Sequence, residues 1–291
     1  MNIQSISVHG TSVSLTAPAK INWFLKITGK RDDGYHNIIT LMQCINLYDN
    51  LVFKHADNLE IICDLDIPFN NNIVYKAASL LKKYSSYRKG ARIILKKNIP
   101  VSAGLGGGSS DAAFTLSGLN KLWGINLNKT ELNSIAAEIG SDVPFFLGGP
   151  LALIEGKGDR ATPFKASFSI FLLLVKPPLS VSTAWAYSCY DNNKSELTKK
   201  PVDIKLFLRA FNNKAFGSVE TLLDNDLEKV VIEKYPVIGE IKSRMRESGA
   251  VIAAMSGSGP TVFGVFDSME AAKSSSKGFK NCWIAVVQTI I

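Results

Sequence analysis

Hydrophobic positions in this chain fall into short strand-like runs, interleaved with longer stretches at helical spacing. Val13–Leu15 and Ile21–Ile27 predict two strands with a break at Pro18, because proline cannot donate to a ladder. Ile38–Leu47, Leu51–Lys54 and Leu59–Cys63 predict three more, with Asp49-Asn50 as a turn. Ile73, Ala77, Leu80, Leu81 and Tyr84 recur at helical spacing, so Ile73–Tyr84 predicts a helix. Ala91–Leu95 reads as a strand and Ala112–Leu122 as a helix. Lys129–Ile139 is a further helix, its start marked by Asn128 and then Glu131 three residues on, as in a capping box. Gly140–Phe146 reads as a turn or short helix, and Leu151–Ile154 and Ser169–Val175 as strands. Beyond Pro177-Pro178 the pattern turns more helical, with helices at Val202–Ala210, Asp226–Ile232 and Pro236–Ser248. Strands follow at Ala250–Met255, Thr261–Phe266 and Trp283–Val287, with a helix between the last two. Asp191–Ser195 is the one stretch that reads as a floppy loop, and no internal repeat is present. The expected architecture is two α+β halves dividing near Pro163–Pro178, with domains at 1–165 and 166–291.

Composition narrows the class. With 291 residues, 46% of them hydrophobic, the chain has ample material for a core, and two lobes suit this length better than one. The longest apolar run, Ile170–Val175, is far short of the roughly 18 residues of a membrane helix. Met1–Thr16 is polar and lacks a secretory pattern, so a cytoplasmic protein is expected. Cys44, Cys63, Cys189 and Cys282 are too scattered for a zinc site or a disulfide framework, and four buried reduced thiols are expected. His9, His36 and His55 are equally scattered. The net charge of +8 is spread along the chain, which suits steering of a small polyanion better than nucleic-acid binding.

The chemistry concentrates in Pro100-Val101-Ser102-Ala103-Gly104-Leu105-Gly106-Gly107-Gly108-Ser109-Ser110. Glycines allow the backbone to turn tightly and aim its N–H groups at one point. A strand before the loop and a helix after it complete a phosphate cradle at a helix N-terminus, with Ser109, Ser110 and Asp111 reading as the cap and first turn. No Gly-Lys-Ser/Thr closes the loop as in a Walker A, and the third glycine of a dinucleotide fingerprint is missing. Three weaker segments accompany it. Pro18-Ala19-Lys20-Ile21-Asn22 alone reads as a solvated strand end, and Gly140-Ser141-Asp142-Val143-Pro144 alone as a helix cap. Met255-Ser256-Gly257-Ser258-Gly259-Pro260 alone reads as a hairpin turn.

In this order the four segments resemble the motifs of the galactokinase, homoserine kinase, mevalonate kinase and phosphomevalonate kinase (GHMP) superfamily. Asp33-Gly34-Tyr35-His36 narrows the resemblance to its branch acting on cytidine-diphospho-methylerythritol in the non-mevalonate isoprenoid pathway. The resemblance covers most of the chain and weakens between Tyr190 and Leu223. It implies an N-terminal lobe like ribosomal protein S5 domain 2, a ferredoxin-like C-terminal lobe, and ATP-dependent phosphorylation of a tertiary hydroxyl. On it, Asp142 matches the catalytic base and Lys20 its partner. Tyr35 and His36 match residues that hold cytosine, with Asn22 nearby and Tyr187 as a second aromatic. The loop from Pro100 to Ser110 would hold the triphosphate, with Lys97 and Asn72 as adenine-side candidates on position. Ser109 or Ser110 is the candidate Mg²⁺ ligand, since that cation prefers oxygen. The expected partner is therefore a small cytidine diphosphate substrate, with no nucleic acid and no membrane, and the protein a monomer or weak homodimer.

Overall fold

The structure is a computed structural model and describes residues 7–9, 12–65, 72–192, 204–213, 215 and 223–291. Two long strands dominate the N-terminal half: β2 (Ser12–Lys30) and β3 (His36–Ala56), joined by a short hairpin. Their length departs from the expected segmentation. Pro18 does not end β2; it sits opposite Tyr48, and the register slips between Pro18 and Ala19, so the missing N–H is accommodated at a bulge. Asp49-Asn50 is likewise no turn, because β3 runs straight through it. Asp49 is fully buried, with Oδ1 accepting from the backbone N–H groups of Asn98 and Ile99 at 2.6 and 2.8 Å.

β1 (Ser7–His9) pairs with the start of β2. The first half of β3 pairs with β6 (Leu151–Gly156), and the second half with β5 (Gly90–Lys96). One strand thus serves two neighbours end to end. β4 (Leu59–Cys63) adds a parallel edge to β5, and β7 (Arg160–Pro163), which the hydrophobic pattern misses, extends β6. Helices α1 (Ile73–Ser85), α2 (Gly107–Leu122), α3 (Lys129–Ile139) and α4 (Val143–Gly148) cover one face. They bury Leu81, Phe114, Leu116 and Phe146 with Leu15, Phe53 and Ile93 of the sheet. The capping box at Asn128 and Glu131 is present in full.

A second, four-stranded antiparallel sheet has the order β11-β8-β10-β9, formed by β8 (Phe171–Lys176), β9 (Ile252–Met255), β10 (Val262–Phe266) and β11 (Trp283–Gln288). Helices α5 (Thr183–Asn192), α6 (Ile204–Asn212), α7 (Glu228–Lys234), α8 (Val237–Glu247) and α9 (Met269–Ser276) complete this half. Asp191 and Asn192, expected in a loop, form the last turn of α5; residues 193–195 lie outside those described, as do Val202 and Asp203. The two halves share one apolar layer. Trp23 of β2 meets Phe211 and Phe263 edge-on at 5.1 and 5.6 Å between centroids, and Phe24 meets Phe207. All four thiols are free, but only Cys44 is buried, contrary to the expectation for the other three. Among the described residues no helix is long and apolar enough to cross a membrane.

Candidate active site

A cavity of about 1200 Å³ opens where the halves meet. Lys20, on β2, reaches it with a side chain only 5% exposed, and its Nζ lies 3.6 Å from Asp142 Oδ2. The ammonium also donates to Asn22 Oδ1 at 2.5 Å and to the Gly104 carbonyl at 3.2 Å. Burial pulls the Lys20 pKa below its ordinary value, against the charge and hydrogen bond of Asp142. Asp142 is the N-cap residue of α4, yet its side chain makes no capping hydrogen bond. The cap position is the one the turn predicts, but the carboxylate faces the lysine and not the helix N–H groups.

The cradle lies directly beside this pair. Helix α2 begins five residues earlier than the apolar pattern suggests, so Gly106 is its N-cap and Ser109 to Asp111 are helical. Three glycines in a row thus supply the first N–H groups of a helix, the ones left without intrahelical partners. Gly106 has φ +68°, and a Cβ there would meet Lys20 Cγ at 2.9 Å and Phe146 Cζ at 3.0 Å. Gly104, at φ +75°, would set a Cβ 2.2 Å from the Ser256 carbonyl. The Gly104 carbonyl also accepts from Ser256 Oγ at 3.0 Å, which seats the second glycine-serine loop against the first.

Pro100, Val101, Ser102, Ala103 and Gly104 line the cavity, as do Gly106, Gly107, Gly108 and Ser109. Leu105 does not; it is buried in the apolar layer between the halves. Ser110 does not either. Its side chain is fully buried with Oγ unpartnered, so Ser109 is the one of the two candidate Mg²⁺ ligands that lines the cavity. Asn72 lines the wall while its Oδ1 caps α1 through Val74 N–H at 3.0 Å. Lys97 also lines it, held between the buried carboxylates of Asp49 and Asp111, the latter at 2.6 Å. Burial lowers the Lys97 ammonium, but the two carboxylates outweigh it and hold its pKa above the usual value. Desolvation pushes the Asp111 carboxyl above the usual carboxylate range, against the opposing charge of Lys97.

At the far end, Tyr35 stands 60% exposed on the β2–β3 hairpin, next to a largely buried His36. Tyr187 of α5 stacks on the His36 ring, with centroids 4.9 Å apart and planes 26° from parallel. Burial raises the Tyr187 phenol, assisted by the charges of Asp142 and Asp226. Asn22 lies at the catalytic end instead, its amide donating to Thr40 Oγ1 at 2.8 Å while its oxygen takes Lys20. The sequence reading missed Asp49, Asp111 and Asp191. Asp49-Asn50 carries turn chemistry, Asp111 reads only as a first-turn residue, and Asp191 reads as loop.

The GHMP kinases N terminal domain model matches residues 72–149, and the GHMP kinases C terminal model matches 207–281. The chain is 50% identical over 275 residues to 4-diphosphocytidyl-2-C-methyl-D-erythritol kinase of Thermodesulfovibrio yellowstonii, covering 94% of this chain and 96% of that one. It is 42% identical over 284 residues to the kinase of the same name from Acetivibrio thermocellus, covering 96% and 99%. A crystal structure of 4-(cytidine 5'-diphospho)-2C-methyl-D-erythritol kinase superposes with a TM-score of 0.80 at 31% identity, covering 94% of this chain and 98% of that one. With glycine cradle, lysine–aspartate pair and aromatic hairpin all facing one cavity, the chain belongs to the GHMP kinases, in the 4-diphosphocytidyl-2-C-methyl-D-erythritol kinase family.

Proposed function

We propose that the protein transfers the γ-phosphoryl group of ATP to the tertiary 2-hydroxyl of 4-diphosphocytidyl-2-C-methyl-D-erythritol. The observation that carries this reading is the meeting of Lys20 and Asp142 at 3.6 Å beside the cradle. Phosphoryl transfer needs a positioned hydroxyl, a proton acceptor and compensation of charge on the transferring group. Asp142 accepts the hydroxyl proton. Lys20, shielded from water and steadied by Asn22, offsets the negative charge that develops on the phosphoryl oxygens. The unpaired N–H groups of Gly107, Gly108 and Ser109 hold the phosphates, with Lys97 and Asn72 further along the wall. Tyr35 and His36 hold the cytosine, with Tyr187 as the second aromatic. Residues 1–165 supply the catalytic pair and cradle, and residues 166–291 supply Tyr187 and the loop that backs Gly104.

The Ser109 hydroxyl, a hard oxygen on the cavity wall, would hold Mg²⁺. When bound, the cation neutralises phosphate charge. A coupled ADP-release assay tests the proposal. ADP is expected with the cytidine substrate and not with homoserine or mevalonate; equal release with those alcohols would overturn it.

A further inference from the structure

His36 is held on several sides. Asp191, in the last turn of α5, crosses from the C-terminal half and places Oδ1 2.8 Å from His36 Nε2. Its other oxygen takes the Lys30 ammonium at 2.6 Å. Tyr187 covers one face of the ring, and Tyr190 meets it edge-on at 6.5 Å. The His36 and Asp191 side chains are 7% and 16% exposed, and both line the cavity. So well-fixed a ring is more than is needed to present a backbone or fill space.

A carboxylate only accepts, so the Nε2 atom facing Asp191 carries the proton, and a ring with a single proton keeps its lone pair on Nδ1. Lys30 only donates, which keeps the second carboxylate oxygen occupied and the first on the ring. We infer that Asp191 is a specificity-determining positioning residue: it fixes His36 in the Nε2–H tautomer, so that Nδ1 accepts a hydrogen bond from the exocyclic amine of an aminopyrimidine. Cytosine offers that amine. Uracil offers a carbonyl oxygen at the same corner, setting lone pair against lone pair in a partly desolvated site, where an unmade hydrogen bond is costly. The inference rests on the cytidine reading given above and assigns how the base is selected within it.

The experiment has two readouts. The chain contains only three histidines, so long-range ¹H–¹⁵N spectra resolve the imidazole nitrogens of the free protein. Wild type is expected to show His36 protonated at Nε2. In Asp191→Asn, Lys30 takes the amide oxygen, the amide nitrogen donates to Nε2, and the proton moves to Nδ1. Asp191→Glu keeps an acceptor and is expected to keep the wild-type tautomer. The second readout is the ratio of kcat/KM for the cytidine substrate to that for its uridine counterpart. Asp191→Asn is expected to lower this ratio about 10- to 100-fold, through KM for the pyrimidine substrate and not KM for ATP. Asp191→Glu should retain most of it.

A proton on Nδ1 in the wild type, whether as the Nδ1–H tautomer or the imidazolium, would overturn the inference without any variant. So would a ratio left unmoved when the tautomer flips. A wild type inactive with both pyrimidine substrates would overturn the kinase reading beneath it, even with the tautomer as expected.

Discussion

Lys20 shares its ammonium among Asn22, the Gly104 carbonyl and Asp142, so its position is set by three groups of the N-terminal half. Replacing Asp142 by Asn keeps shape but removes the proton acceptor. The expected outcome is a fall in kcat of about 10²- to 10⁴-fold, with ATP affinity close to wild type by calorimetry. Tyr35→Ala acts at the other end, removing an exposed ring face. It should raise KM for the cytidine substrate about tenfold in steady-state kinetics and leave KM for ATP in place. Lys20, Asp142, Tyr35 and His36 were legible because each sits in a short motif. Ser109 and Ser110 were not separable from sequence: adjacent helical residues point about 100° apart, and the start of α2 decides which faces the cavity. Asp191 was illegible because its partners, His36 and Lys30, come from the opposite half of the chain.

Among the elements, α2 shows how a glycine run can be helix and loop at once. Gly106 takes a left-handed conformation against Lys20 and Phe146, whereas Gly108 is already helical, with Ile73 Cγ2 the nearest contact to an added Cβ at 3.6 Å. Gly106→Ala should therefore lower stability by about 1–2 kcal/mol or more, through strain and crowding, and raise KM for ATP. Gly108→Ala should raise KM for ATP while leaving the melting temperature unchanged or higher, since alanine favours helix. Thermal melts beside kinetics separate the two. Helices α1 and α3 followed directly from apolar spacing and caps. The long strands did not, because Pro18 and Asp49-Asn50 are local breakers overruled by a bulge and by the buried bonds of Asp49 to Lys97, Asn98 and Ile99.

For the molecule as a whole, the halves are fastened near the cavity by Lys26 of β2, which bonds Asp224 and Asp226. Asp226 also accepts from the Ile27 backbone N–H at 2.7 Å. Burial alone would lower the Lys26 ammonium, yet its hydrogen bonds to the two carboxylates hold it above the ordinary range. Lys26→Ala strands Asp226, which is 14% exposed, and should cost about 3 kcal/mol, read as a lower denaturant midpoint. That the chain forms two α+β halves was readable from its pattern, although the change at Pro177-Pro178 falls after β8 (Phe171–Lys176), the first strand of the second sheet. The apolar layer joining them was not: Trp23 and Phe24 are adjacent on β2 and both meet rings of the C-terminal half, a partnership no local period encodes.

Strand β2 carries Lys20 near its middle and ends at the hairpin that bears Tyr35 and His36. A single stretch of backbone thus acts as a ruler between the lysine–aspartate pair and the aromatic hairpin. On the proposed function, a cytidine conjugate one phosphate shorter is expected to compete with the diphosphate substrate in inhibition kinetics without releasing ADP.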